Sequence, residues 1–200
     1  MPQANSTTNS NSLPTPRPPY PVTTCAVFAL TAVCTALTFP YPRLIALLER
    51  TPTMLAHHEW WRFITPVLIN PEGWRQIAFN ALALLVLGTI VEREFRAARW
   101  LIIYLVSAIV GEIAGYAWKP NSAGSSVGIS GLLGAFAAQL FFARAPQARV
   151  GAILILGGAA TLTYFRDLHG PPILAGFAAA AVMHRIANPP KPRRSMTRIV

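Results

Sequence analysis

Four polar side chains that could take part in chemistry lie within or beside strongly apolar stretches of the sequence. Gln76 and Asn80 are four residues apart, so on a helix they share one face. Ser130 follows Gly128 near the start of another apolar stretch, and His169 directly precedes a third. A serine hydroxyl is a potential nucleophile, an imidazole is a potential base, and amides donate hydrogen bonds. Together these residues suggest a catalytic site.

Each of these side chains also has a structural interpretation. A serine in a membrane helix often donates to the carbonyl four residues earlier, and a histidine at a helix start is often a capping or boundary residue. Asn80 alone is most simply a donor that joins helices, and Gln76 alone is a donor at a helix boundary. Catalysis is favoured only if all these side chains meet, which depends on the elements that carry them.

The composition indicates that those elements lie in a membrane. Hydrophobic residues make up 53% of the 200-residue chain and charged residues only 12%, whereas about 25% of a soluble globular chain is charged. The apolar residues gather into continuous runs and do not form amphipathic stripes. The net charge of +10 lies at the ends of these runs, so no nucleic acid partner is required to explain it.

Six apolar runs predict an all-α fold, a polytopic membrane helix bundle with six transmembrane helices. The fourth and fifth runs are shorter than the roughly 17 to 25 residues that usually span a bilayer. The long connection after the first run carries Trp60 and Trp61, a composition that suits a segment in the membrane interface. The runs cover residues 22–39, 74–91, 100–118, 129–143, 150–164 and 170–186.

The same pattern predicts three regions and a topology. Residues 1–21, rich in Asn, Ser, Thr and Pro, are expected to be a disordered tail; residues 22–187 form the membrane domain and residues 188–200 a basic tail. With the N-terminus inside, the inner segments hold more Lys and Arg than the outer ones. Both termini are therefore predicted to be cytoplasmic, with the chain in the cell (cytoplasmic or inner) membrane.

This topology brings the polar side chains to one depth. The second, fourth and sixth helices would enter from the outer face, and Gln76, Asn80, Ser130 and His169 lie at or near their starts. Each would be costly if it faced lipid. Small residues on the fourth and sixth helices predict close packing of their backbones. They are Ser130, Gly134 and Ala138 on the fourth helix, and Gly176 and Ala180 on the sixth.

With these residues in view, the sequence resembles the rhomboid family of intramembrane serine proteases, from about Glu59 to His184. A Gly-x-Ser-Gly segment is similar to the family's nucleophile motif, and a histidine followed by glycine resembles its sixth-helix motif. A second-helix pattern and a first-loop Trp-Arg pair add to the likeness. The residues are Gly128, Ser130 and Gly131; His169 and Gly176; Asn80, Gly88 and Glu92; and Trp61 and Arg62.

Several positions depart from the family pattern. Gln76 stands where many members place a histidine that helps to bind the oxyanion, and Asn70 falls near another common histidine position. Gly134 occupies a site where some members carry a tyrosine that packs on the catalytic histidine, so that contact must come from elsewhere. Pro172 replaces a usual glycine, and because proline suits a first helical turn, it predicts that the sixth helix begins near Gly170.

The resemblance implies a catalytic dyad of Ser130 and His169 that needs no metal or cofactor. The histidine would take the serine proton during attack on a peptide carbonyl. The Ser130 backbone N–H, Asn80 and Gln76 would meet the oxyanion, and Gly128 is assigned to the same oxyanion and substrate-binding region. The implied partners are the lipid bilayer and transmembrane protein substrates, each unwound near its outer end.

The acidic residues are expected to stay outside the dyad. Asp167 is placed in the loop before the sixth helix, so no acidic third member is predicted. Glu92, at the cytoplasmic end of its helix, is interpreted as structural. Glu112, within the third helix, is expected to pair with a first-loop arginine or with water more readily than to touch the site.

Two other functions remain compatible with the sequence. A non-proteolytic rhomboid-like protein would use the same fold to bind client helices, although the presence of both Ser130 and His169 argues against it. A small transporter would use the polar layer as a substrate or ion site, although the chain lacks visible internal repeats.

Overall fold

The computed structural model describes residues 20–188, and the regular secondary structure in this part of the chain is helical. Within it no β-strand forms, and one isolated bridge joins Arg50 to Ser122. The all-α class is thus confirmed, and each predicted run lies in a helix. The helices are α1 (Val22–Thr38), α2 (Arg43–Leu48), α3 (Trp74–Trp118), α4 (Ser126–Phe142), α5 (Pro146–Tyr164) and α6 (Gly170–Ala187), with short 3-10 helices at Trp60–Phe63 and Thr65–Leu68.

The predicted tails lie outside the described residues, apart from Tyr20, Pro21 and Asn188. By length and composition alone, α3 is the one helix in the described range that is long and apolar enough to cross a membrane. The helices α1 and α4 are shorter and apolar, at 17 residues each. Both α4 and α5 are longer than the apolar runs that predicted them, because α4 begins at Ser126 and α5 at Pro146.

Helix α3 contains the predicted second and third helices, which are separated at Arg96. The backbone of Arg96 has φ 65° and ψ 169°, which is not helical. The Trp100 indole donates to the Gly88 carbonyl over 3.0 Å, although a straight helix would place these residues about 18 Å apart. The chain therefore turns back at Arg96, and the two arms of α3 lie side by side.

Helix α4 packs at the centre of the bundle, against α3, α5 and α6. A Cβ atom on Gly134 would overlap the Ile173 carbonyl oxygen of α6, and one on Gly176 would overlap the Gly131 carbonyl oxygen of α4. The backbones of α4 and α6 are thus in direct contact at these glycines. The close packing predicted from the small residues is confirmed, and it excludes any side chain at Gly134.

The N-terminus of α1 is held by a carboxylate from α3. Glu92 accepts hydrogen bonds from the backbone N–H groups of Thr23 and Thr24, at 2.8 and 2.7 Å, and from the Thr24 hydroxyl at 2.8 Å. These N–H groups have no partner within their own helix, and a carboxylate there is also favoured by the helix dipole. The structural role predicted for Glu92 is confirmed.

The connection between α1 and α3 is folded onto the bundle. Arg50 and Glu112 form an ion pair in which both side chains are almost fully buried, and Arg50 also donates to the Lys119 carbonyl. This confirms the predicted pairing of Glu112 with a first-loop arginine. The Arg62 guanidinium binds the carbonyls of Ala46 and Glu49. The connection is therefore held against the C-terminal end of α3.

Candidate active site

A cavity of about 600 Å³ opens among the first arm of α3, the start of α4 and the start of α6. Gln76, Asn80, Ser130 and His169 all line it. The predicted convergence of these side chains on one region is therefore observed. Gly128 does not line the cavity, because its Cα faces the ring of Tyr104 on α3.

His169 lies at the N-cap of α6 and is held by two hydrogen bonds through its ring. Helix α6 begins at Gly170, with prolines in its first turn, so the predicted start of this helix is confirmed. The His169 Nε2 atom lies 3.0 Å from the Ser126 hydroxyl. The His169 Nδ1 atom lies 2.7 Å from Asp167 Oδ1. The side chain is 38% exposed, so the ring is accessible from outside the bundle.

The predicted hydrogen bond between Ser130 and His169 is not formed, and Ser126 takes that place. Ser130 is half-buried, and its hydroxyl has no hydrogen bond within residues 20–188. Ser126 and Ser130 are four residues apart on one face of α4, so they are separated by about 6 Å along the helix axis. Because α6 begins at Gly170, His169 lies at the very end of that helix. Its imidazole contacts the first turn of α4, which contains Ser126, and not the second turn, which contains Ser130.

Asp167 is part of the site, contrary to the expectation that no acid would join it. Its Oδ1 atom accepts from the backbone N–H of His169 at 2.9 Å as well as from the ring. Partial burial alone would raise the pKa of Asp167, but these hydrogen bonds and electrostatic attraction to His169 and Lys119 lower it below its ordinary value. The ionised carboxylate accepts only, so Nδ1 carries hydrogen, and in the neutral ring Nε2 is the nitrogen that can accept from Ser126.

The two predicted amide donors are tied to neighbouring loops. The Asn80 amide donates to Asn70 Oδ1 at 2.7 Å, and the same oxygen accepts from the backbone N–H and hydroxyl of Ser125. The Gln76 amide donates to the Ala123 carbonyl at 3.1 Å. An amide group carries two N–H bonds. Each side chain therefore keeps its position while it retains one N–H for another acceptor.

Ser126, Asp167 and Asn70 are the site residues whose contacts sequence reasoning missed. Ser126 is preceded by another serine and stands four residues before the motif serine, so helical spacing put it on the same face. Asp167 is two residues before His169, the spacing at which an Asp side chain accepts from a nearby backbone N–H. These local signals do not tell which side chain faces the imidazole.

Comparison with known proteins identifies the family. The family model described as Rhomboid domain matches residues 57–184, more than half of the chain. This chain belongs to the rhomboid family. Its multi-pass membrane character follows from that membership, and the exposed faces of the helices carry large apolar side chains. Examples are Leu30, Val33, Phe79, Leu82, Ile102, Leu154 and Ile186.

This rhomboid chain is similar to several curated proteases. It is 35% identical over 149 residues to rhomboid protease GluP of Bacillus subtilis, a match that covers 70% of this chain and 29% of that protein. It is 34% identical over 91 residues to putative rhomboid protease YdcA of the same organism, covering 44% and 45% of the two chains. The matched part of this chain thus spans less than half the length of either relative.

Proposed function

We propose that this rhomboid chain is a serine endopeptidase that cleaves transmembrane-helix substrates near their extracytoplasmic ends. The observation that carries the proposal is a cavity in which His169 Nε2 contacts a serine hydroxyl of α4, with Ser130 one turn away on the same wall. A neutral imidazole facing a hydroxyl is the arrangement from which a general base can activate a nucleophile. The names of the similar proteases support the same activity.

Ser130 is the proposed nucleophile because it stands in the Gly-x-Ser-Gly motif and its hydroxyl is uncommitted. The His169 ring would turn from Ser126 toward Ser130, which stands one helical turn further along α4, and its partial exposure leaves room for this rotation. The ring would take the Ser130 proton as the oxygen attacks the peptide carbonyl, and return it to the leaving amine. Water would then hydrolyse the resulting ester, with His169 again acting as base.

The oxyanion that develops during the attack would be met by three donors. Two are the side-chain amides of Asn80 and Gln76. The third is the Ser130 backbone N–H, which lies in the second turn of α4 and must first be released from the Ser126 carbonyl. Each amide is already oriented by one hydrogen bond to a loop. A single oxyanion donor contributes about 2.7 to 4 kcal/mol to transition-state stabilisation.

The substrate and the membrane orientation are part of the same proposal. The cavity is apolar along much of its wall, with Phe79, Ala83 and Leu133 among its lining residues, which suits a membrane-embedded peptide. We place the chain in the cytoplasmic membrane with both termini inside, following the distribution of basic residues. The mouth of the cavity then faces the extracytoplasmic side, where water for hydrolysis is available.

A non-proteolytic function in binding client helices is the second candidate, because Ser130 and His169 are not hydrogen-bonded to each other. A serine-directed fluorophosphonate separates the two. We expect the purified chain to be labelled at Ser130, and labelling to be lost in Ser130→Ala and His169→Ala but retained in Ser126→Ala.

The same variants should be tested on a model single-span substrate in cells. Loss of cleavage in Ser130→Ala and His169→Ala would support the proposed endopeptidase. If the label appears on Ser126, the activity stands but the assignment of the nucleophile is wrong. A folded chain that neither takes the label nor cleaves would favour client binding.

A further inference from the structure

The loop between α5 and α6 holds a carboxylate against the catalytic histidine by fixed backbone contacts. Arg166 has a left-handed φ of 57°, which turns the chain sharply after α5. The Asp167 backbone N–H donates to the Leu162 carbonyl at 2.8 Å, and its own carbonyl accepts from Gly170 N–H at 3.3 Å. Asp167 is thus anchored to both helices, and its side chain has little freedom to leave the imidazole.

The start of α6 is also locked against α5. A Cβ atom on Gly170 would lie within 2.7 Å of the Ala159 carbonyl oxygen and 2.5 Å of the Thr163 backbone nitrogen. Such an approach leaves no space for a side chain and keeps the two helix ends together. Backbone packing therefore fixes the positions of Asp167 and His169 relative to each other.

Apart from Asp167, only Ser126 is hydrogen-bonded to the His169 ring in the described part of the chain. No aromatic side chain stacks on it among residues 20–188, and its two side-chain contacts are Ser126 and Asp167. Ser126 must be released when the ring turns to Ser130, whereas the Asp167 contact involves the opposite nitrogen. The Asp167 contact is the one that can persist through the reaction.

We infer that Asp167 is a positioning residue for the proposed Ser130/His169 reaction: its carboxylate keeps the hydrogen on Nδ1 and leaves Nε2 as the base. This rests on the proposed function and extends the dyad to a Ser-His-Asp arrangement. The carboxylate also stabilises the imidazolium that forms when His169 takes the serine proton. Asp167 itself neither gains a proton nor touches the substrate.

A purely structural role for Asp167 predicts a different result from the same substitution. Its Oδ1 atom also accepts from the His169 backbone N–H, a contact that an asparagine oxygen makes equally well. Asp167→Asn therefore preserves the loop while removing the negative charge and the preference for one tautomer. Asp167→Glu keeps the charge on a longer side chain.

Other charged groups near the ring also influence how the rate depends on pH. Lys119, at the end of α3, acts on Asp167, and Arg166 is exposed beside it. Across the cavity lie Glu72 and the paired Arg50 and Glu112. These groups are unchanged in the Asp167 variants, so a difference between the profiles reports on Asp167 alone.

The kinetic test uses the full chain in proteoliposomes with a model transmembrane substrate. We expect Asp167→Asn to lower kcat by about tenfold or more at unchanged KM. The pH–rate profile should also differ from that of wild type, because the side chain beside the ring has lost its charge. Asp167→Glu should recover activity toward wild type.

Arg166→Asn is the matched control, since it changes a neighbouring loop charge without touching the ring, and asparagine tolerates left-handed φ. We expect its kcat to stay within about twofold of wild type. If wild type cleaves and Asp167→Asn has the same kcat and pH profile, the positioning role is overturned while the proposed activity stands.

A spectroscopic readout keeps the test independent of turnover. In the chain labelled with ¹⁵N-histidine, the His169 signal, assigned with His169→Gln, should report the Nδ1–H tautomer in wild type and a mixture of tautomers in Asp167→Asn. Identical signals in both would overturn the inference even for an active chain. A tautomer shift in a chain that neither cleaves nor takes the fluorophosphonate would uphold the positioning of the ring and reject the proteolytic function.

Discussion

At the scale of single residues, the site is decided by which hydroxyl meets His169. Ser126 and Ser130 both line the cavity from one face of α4. Of these two hydroxyls, only that of Ser126 is hydrogen-bonded to the imidazole. The hydroxyl of the motif serine, Ser130, is thus the one that is not hydrogen-bonded to the imidazole. The proposed reaction requires the ring to give up one hydrogen bond before it forms another.

Substitution of Ser126 tests this exchange of partners. In Ser126→Ala the imidazole no longer has a competing hydroxyl, whose hydrogen bond contributes about 1 kcal/mol. We expect kcat for cleavage of a model substrate to stay at the wild-type value or to rise by up to about fivefold. Ser130→Ala, measured in parallel, should abolish cleavage. Loss of activity in Ser126→Ala, with activity retained in Ser130→Ala, would contradict the assignment.

At the scale of helices, the site depends on the close contact of α4 with α6. The glycines Gly134 and Gly176 let the two backbones touch, which brings the serine face of α4 next to the start of α6. A larger residue at these positions would separate the helices that carry Ser130 and His169.

Two alanine substitutions compare this contact with an open position. In Gly134→Ala the new Cβ would overlap the Ile173 carbonyl oxygen, so we expect a loss of about 1 to 3 kcal/mol in stability. Gly157→Ala on α5 meets nothing within 4 Å and should stabilise by about 0.5 to 1 kcal/mol. Unfolding in mixed micelles by SDS measures both. Equal stabilities of the two variants would contradict the close backbone contact at Gly134.

Substitution of Glu92, the residue of α3 that caps α1, can be compared with a control substitution on the same helix. Glu92→Gln keeps the size of the side chain but removes the charge and one acceptor from the N–H groups of Thr23 and Thr24, so we expect a loss of about 1 kcal/mol. Glu94→Gln changes an exposed carboxylate and should alter stability by less than about 0.5 kcal/mol. The same SDS titration compares the two, and a larger loss in Glu94→Gln would contradict the cap.

At the scale of the whole molecule, the orientation of the bundle determines which side supplies water to the site. The cavity lies where α4 and α6 begin, and so does the loop that contains Lys119. The excess of basic residues at the opposite ends predicts that this loop is extracytoplasmic.

Reporter fusions test the orientation directly. Alkaline phosphatase is active only outside the cytoplasm, so a fusion after Lys119 should be active and a fusion after Val200 inactive. A fluorescent protein that matures only in the cytoplasm should give the opposite pattern. Activity of phosphatase at Val200 would reverse the proposed topology and would place the cavity on the cytoplasmic side.

Sequence alone determined the helical elements and the residues that share their faces. Apolar runs predicted every long helix of the bundle but not the short α2, Pro172 predicted the start of α6, and small residues predicted its contact with α4. These features are local, because periodicity, proline and glycine act through the backbone of their own segment.

Only the tertiary structure decided which side chains meet at the site. The contact of His169 with Ser126, the entry of Asp167 and the pairing of Asn80 with Asn70 join residues from different segments or through a turn. The contact of His169 with Ser126 depends on the position of α6 along α4, and backbone contact at Gly134 and Gly176 sets that position. A shift of one helical turn, about 5.4 Å, exchanges Ser126 for Ser130, and no local pattern encodes such a shift.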